Sequence, residues 1–198
     1  MLYIIIILGS MLLITLTNGM LLVDPDLPSL GWIALSTLLG TVSVIAWDGI
    51  VALLIRRLPL PQRWFAPESR IFAVGQREHL FYRAIGINLW KDRVPELGCF
   101  TGFSKSEFTS PRDTAYLARF LMESNYGVAI HLANAILGFL IILLPWCSTP
   151  AIAIPIALVN MILSLLPVAV LRFNSRPLHR IYLRSLAKHC SCKFHSIK

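Results

Sequence analysis

Residues 31–57 read GWIALSTLLGTVSVIAWDGIVALLIRR, twenty-seven residues holding one acid and closed by Arg56-Arg57. A bilayer core needs about 20 consecutive apolar residues to be crossed by a helix. This run is long enough, and its two terminal arginines mark the side on which it ends. Three further runs share the pattern. Residues 2–23 are apolar and uncharged, and no Lys or Arg precedes them, so they read as a retained first span rather than a cleaved signal. A third span covers 127–147 and ends at Pro145-Trp146. Ser148, Thr149 and Pro150 then turn the chain into a fourth, 151–172. The expectation is an all-α integral membrane protein with four transmembrane helices, organised as a single membrane domain over 1–198.

The charges fix the threading. Of 198 residues 56% are hydrophobic and only 14% charged, well below the quarter or so usual in soluble domains. Eleven of the eighteen Lys and Arg fall between 56 and 119, and the other seven between 172 and 198. Cations confined to the 56–126 loop and to the tail with its boundary residue, 172–198, are a topology signal, and a net charge of +8 distributed in this way is not a nucleic-acid footprint. Four crossings with both segments on the positive side place the loop and both termini in the cytoplasm of a multi-pass cell-membrane protein. Asp24 and Asp26, between the first two spans, then lie outside. Four scattered cysteines (Cys99, Cys147, Cys190, Cys192) make no disulfide framework.

The loop is rich in aromatics (Trp64, Phe65, Phe72, Phe81, Tyr82, Trp90 among them), which disordered segments lack. Within 78–91, Leu80, Phe81, Ile85, Leu89 and Trp90 recur near helical spacing, as in an interfacial amphipathic helix on the cytoplasmic side. A second helix is expected over 111–126, with Ser110 as N-cap, Pro111 at the first position and Asp113 in the first turn, running into the third span. In the tail, Ser175 is a candidate cap. Arg176, Arg180, Arg184 and Lys188 form a basic stripe opposite Leu178, Ile181, Tyr182 and Leu186, and this segment is expected to lie flat on the membrane.

Two ionisable residues fall inside spans. An Asp at the centre of a spanning helix costs about 2.5–3.5 kcal/mol or more, so Asp48 and His131 are candidate functional groups by default. The alternative for each is structural: a hydrogen bond across the bundle to Asn134, Ser43 or a backbone carbonyl. Asp48 reads more readily as such an auxiliary residue. Glu123 precedes His131 by eight residues, about 80° of rotation and about 12 Å along a helix, so both share a broad face. A histidine there has the pKa range of a general base toward a hydroxyl. Trp90 and Lys91, in LWKDRVPELG (89–98), suit an interfacial anchor. The tail cluster His189, Cys190, Cys192 and His195 lacks zinc-site spacing, and no metal is expected. The G-x-S-x-G, Walker A, G-x-G-x-x-G and H-E-x-x-H motifs do not occur.

Three segments in order carry a family resemblance: FYRAIGINLWKDRVPELG (81–98), ESNYGVAIH (123–131) and LLPVAVLRFNSRPLHR (165–180). Together they resemble the glycosyl-4,4'-diaponeurosporenoate acyltransferase family of staphyloxanthin-type carotenoid biosynthesis. The family pattern has an aromatic stretch ending in Trp-Lys, a Glu and a His with seven residues between them, and an exit through Arg-aromatic-Asn-x-Arg-Pro. Here it falls on Trp90 and Lys91, Glu123 and His131, and Arg172, Phe173, Asn174, Arg176 and Pro177. One departure is that the family helix carries a second acid between Glu and His, where this chain has Gly127, Val128 and Ala129. An activity that needs that acid would differ or be absent here.

The resemblance implies a membrane-bound acyltransferase that moves a fatty acyl group from a cytoplasmic activated donor to a hydroxyl of a membrane-embedded glycolipid. The donor would be acyl-CoA or acyl carrier protein, with no cofactor besides. His131 is the expected general base and Glu123 its helper at the acceptor. Trp90, Lys91, Arg172, Asn174 and Arg176 are the expected substrate-binding set. The competing class is a non-catalytic membrane protein that binds lipid or scaffolds partners. A transporter is disfavoured by the lack of inverted repeats. Oligomeric state is not legible.

Overall fold

The computed structural model describes residues 2–21, 29–94, 113–147 and 149–195, with side chains to Ala187. The expected acidic turn at Asp24 and Asp26, the Ser110–Pro111 cap and the side chains of His189, Cys190, Cys192 and His195 lie outside the described residues. Among the described residues six α-helices follow one another: α1 Leu2–Leu21, α2 Leu30–Arg57, α3 Gln76–Ala84, α4 Ile87–Trp90, α5 Thr114–Leu137 and α6 Pro150–His195. Four of them are long and apolar enough to cross a membrane, and the described residues contain no strand. The chain is an all-α integral membrane protein.

The chain divides into two compact units. A membrane unit holds Met1–Leu58 and Ile130–Leu166, and a basic unit holds Pro59–Ala129 and Pro167–Lys198. In the membrane unit, Ile14, Ile33, Val44, Ile141, Cys147, Ile152 and Ile156 form the core. Helices in lipid gain little from apolar burial and instead need close contact, which small residues allow. Gly40 supplies it: a Cβ there would stand 2.6 Å from the Cys147 sulfur. The outward residues, Ile4, Ile5, Leu8, Leu12 and Leu13 on α1 for example, are large, apolar and exposed, as a lipid-facing surface requires. Thr37 and Thr41 donate to the Ile33 and Thr37 carbonyls, so their hydroxyls are satisfied within their own helix.

The third span ends differently from its first half. After α5 the chain tightens into a 3-10 helix over Gly138–Leu143. That form rises about 2.0 Å per residue against 1.5 Å for an α-helix, so it covers more bilayer per residue.

Three local expectations need correction. The segment 78–91 is not one helix: α3 and α4 are separated at Gly86, whose φ of +67° only glycine adopts at no steric cost. Asp113 is not inside the first turn of α5 but just before it, where its carboxylate accepts the Ala115 N–H at 2.9 Å. Ser175 caps nothing, because α6 runs unbroken from Pro150 to His195 and the Ser175 hydroxyl donates to the Leu171 carbonyl one turn back.

That continuity is unexpected for a helix with prolines at 155, 167 and 177. Each proline lacks an N–H and strands the carbonyl four residues earlier. The stranded carbonyls are those of Ala151, Leu163 and Phe173, and each meets a side chain from another helix. Asn18 Nδ2 donates to the Ala151 oxygen at 3.2 Å, and the Tyr3 hydroxyl donates to the Leu163 oxygen at 3.0 Å. The His79 imidazole interacts with the backbone at Phe173. The helix survives its prolines because other helices complete its hydrogen bonding.

In the basic unit, Leu117 and Leu121 of α5 pack on Tyr182 of α6, whose hydroxyl donates to Glu68 at 2.6 Å. Phe65 stacks on Tyr126 with ring centroids 3.8 Å apart, and Asn125 Nδ2 donates to the Phe65 carbonyl at 3.0 Å. Of the loop aromatics, Phe65 and Tyr82 are buried in this unit, whereas Trp64 and Phe81 remain exposed.

Candidate active site

In the basic unit, α3 and α6 are joined by charge and by ring stacking. Arg172 donates through Nε and Nη2 to the two Glu78 carboxylate oxygens, the second at 2.8 Å. The paired geometry is the strong, oriented form of this interaction. The Arg172 hydrogen bonds hold the Glu78 carboxyl below its usual range. Tyr82, one turn along α3, also donates to Glu78 at 2.9 Å. Burial, and then that bond, push its phenol up.

Next to this pair, the His79 ring lies parallel to Phe173 with centroids 4.7 Å apart, and Lys91 Nζ sits 5.7 Å from the same Phe173 ring. Trp90 closes the cluster beside Tyr82, Ile87 and Phe173, its indole N–H donating to the Ile85 carbonyl. Burial lowers the His79 pKa first, and the positive charges of Arg176, Arg83 and Arg180 lower it further. Its Nδ1 is buried without a hydrogen-bond partner among the described residues.

The membrane unit holds a second polar group. Asn160 Nδ2 donates to Asp48 Oδ1 at 3.3 Å and to the Asn134 carbonyl at 3.4 Å. Gly138 makes room for that amide, since a Cβ there would lie 2.6 Å from it. Asn160 is thus the partner of Asp48, in place of the Asn134 or Ser43 expected from sequence. Ser43 instead accepts from the Trp146 indole at 3.1 Å. Within the membrane unit two described atoms are buried and unpartnered, Asn134 Oδ1 and Trp47 Nε1. His131, Asn134 and Gly138 recur at i, i+3 and i+7 and so share one face of the chain leaving α5. The cavity near Thr41, Val44 and Asn160 measures about 40 Å³, room for little more than water.

The expected site residues therefore separate into groups. Trp90 and Lys91 converge on Phe173, Arg172 precedes it on α6, and Asn174 and Arg176 follow it, both half-buried. Arg172 is committed to Glu78. Glu123 lies on α5 within the basic unit, and His131 on α5 within the membrane unit. Both are half-buried and both have interaction partners. Sequence reading missed Glu78 and His79. A signal for His79 existed, because Pro177 requires a donor for the Phe173 carbonyl.

A family model described as glycosyl-4,4'-diaponeurosporenoate acyltransferase matches residues 61–184. The chain belongs to this family. The match contains every expected site residue except Asp48, and it makes the chain an acyltransferase of the carotenoid-biosynthesis class, with an acyl donor and a glycolipid acceptor as its substrate types. Neither a curated relative nor a solved structure matches it.

Proposed function

We propose that the protein moves a fatty acyl group from a cytoplasmic thioester donor, acyl-CoA or acyl carrier protein, to a hydroxyl of a glycolipid embedded in the membrane. The acceptor oxygen attacks the thioester carbonyl while His131 takes its proton. The carbon–sulfur bond then breaks, and the imidazolium returns the proton to the departing thiolate. The products are an ester and a thiol, with no redox change and no cofactor. Glu123, about 12 Å along the same helix, binds the acceptor sugar. Trp90 fixes the interface, Asn174 contributes polar contacts, and Lys91 and Arg176 attract the anionic donor, with Arg172 held for structure by Glu78. Asp48 is auxiliary, bonded to Asn160 near the His131 face.

The observation that carries this reading is the family match over 61–184, which spans both His131 and the cationic cluster. The segregation of Lys and Arg supports a cytoplasmic loop, both termini on that side, and hence access to an intracellular donor. The test is purified protein in liposomes with labelled acyl-CoA and a glycolipid extract. An acylated glycolipid is expected, reduced by about 100-fold or more in His131→Ala, the usual worth of a general base. A folded wild-type protein that binds lipid but transfers nothing from either thioester donor would favour the scaffold. Full activity in His131→Ala would remove the base assignment.

A further inference from the structure

The Arg172–Glu78 pair and the His79–Phe173 stack fix α3 against α6 at one place, and helical spacing then dictates what surrounds it. Arg83 follows His79 by four residues and shares its side of α3. Arg176 and Arg180 follow Phe173 by three and seven residues and share its side of α6. Arg83 and Arg180 are exposed and Arg176 half-buried. All three act on the charge of the same imidazole. Arg172, one turn before Arg176, has a carboxylate, whereas Arg83, Arg176 and Arg180 have no ion-pair partner among the described residues. The His79–Phe173 stack brings these two helix sides together, so three like charges lie on meeting faces, and a bound anion relieves their repulsion. Guanidinium forks match phosphate oxygens in pairs, which a scattered set of lysines does not.

We propose that Arg83, Arg176 and Arg180 form a phosphate-binding site beside His79. The neutral His79 ring packs the floor without adding charge of its own, and Arg172 is excluded because Glu78 holds it. The ligand chemistry is a phosphate ester, supplied either by a soluble activated donor such as coenzyme A or by an anionic lipid headgroup. Only the first source rests on the acyltransfer reading above. Because two of the three arginines are exposed, affinity falls as ionic strength rises.

The test uses full-length protein in an uncharged maltoside detergent and calorimetric titration with coenzyme A, 3'-dephospho-coenzyme A, inorganic phosphate and short-chain phosphatidylglycerol. At least one phosphate ester is expected to bind. Arg176→Gln/Arg180→Gln is expected to weaken that binding by about tenfold or more, with an unchanged melting temperature. Arg83→Gln, on the other helix, gives the same direction should the double variant fold poorly. Arg63→Gln changes affinity less than about twofold. Loss confined to coenzyme A names the soluble donor, and loss confined to phosphatidylglycerol names the lipid. Either result upholds the site. Equal binding of every phosphate by wild type and variants, or an equal loss in Arg63→Gln, overturns it. Binding needs no turnover, so arginine-dependent binding in a protein without transferase activity removes the proposed function and leaves this site. An active enzyme without arginine-dependent binding does the reverse.

Discussion

Helix α6 faces the same chemical problem in both units, and the two units solve it with different side chains. In the membrane unit the carbonyls stranded by Pro155 and Pro167 are taken by Asn18 and Tyr3, groups that carry no charge at neutral pH. In the basic unit the backbone at Phe173, stranded by Pro177, interacts with His79, beside a carboxylate–guanidinium pair. The difference follows the solvent. Hydrocarbon tolerates neutral donors bonded within the protein and penalises charge, while an interface facing water admits ionised groups. The bonds that Asn18 and Tyr3 make to α6 are therefore expected to be insensitive to pH and salt near neutrality, and the contacts of His79 and Glu78 to respond to both.

The largest effect comes from breaking the charged pair. Glu78→Leu leaves Arg172 partly buried and unpaired and costs about 1–3 kcal/mol, less than a fully buried pair because both side chains retain some exposure. Arg172→Met added to Glu78→Leu is expected to recover part of that loss. Chemical unfolding in detergent, with Trp90 fluorescence as the probe, measures both. Equal stability of Glu78→Leu and wild type would remove the pair from the account.

A smaller effect is expected from the neutral bonds. Asn18→Leu strands the Ala151 carbonyl and costs about 0.5–2 kcal/mol, the range of interhelical hydrogen bonds in membranes. Pro155→Ala restores an intrahelical donor to that carbonyl, so Asn18→Leu/Pro155→Ala is expected to be more stable than Asn18→Leu alone. If the second substitution adds its own loss without rescue, Asn18 does not serve the proline.

The smallest effect is a response to acid. The folded His79 pKa lies below 6.5, so between 6.5 and that folded value the unfolded chain takes up a proton that the folded chain does not, and stability falls as pH falls. Glu78, held below 4.5, stabilises the fold above 4.5, and this contribution is lost as pH drops through its folded value. Hydrogen exchange is expected to show α3 opening below about pH 6.5 while α1 stays protected. His79→Phe, which keeps the stack on Phe173, removes the first step and leaves the Glu78 step. Parallel loss of protection in α1 and α3 would contradict the contrast.

Much of this organisation is legible in the sequence. Apolar length and the confinement of cations to two segments give the four helices, and three ordered segments give the family. What escapes is long-range pairing. Glu78 and Arg172 are 94 positions apart, and Asp48 and Asn160 are 112 apart, so neither pair leaves a local pattern. The tail misleads for a physical reason. Asn174-Ser175-Arg176-Pro177 has the residues of a helix start, and only a donor from another helix allows α6 to continue. Gly86 was readable, since a glycine within an amphipathic stretch marks a break when its neighbours cannot adopt positive φ.

Compartment underlies both the contrast between the units and the route to the donor, and cysteine labelling in intact cells tests it most directly. In a background with the four native cysteines changed to serine, Asp26→Cys and Arg93→Cys are each exposed to a membrane-impermeant maleimide. Labelling of Asp26→Cys in intact cells, with Arg93→Cys reacting only after permeabilisation, is the predicted result. Labelling of Arg93→Cys in intact cells would place the basic unit on the outer face, away from any intracellular thioester, and would contradict the account.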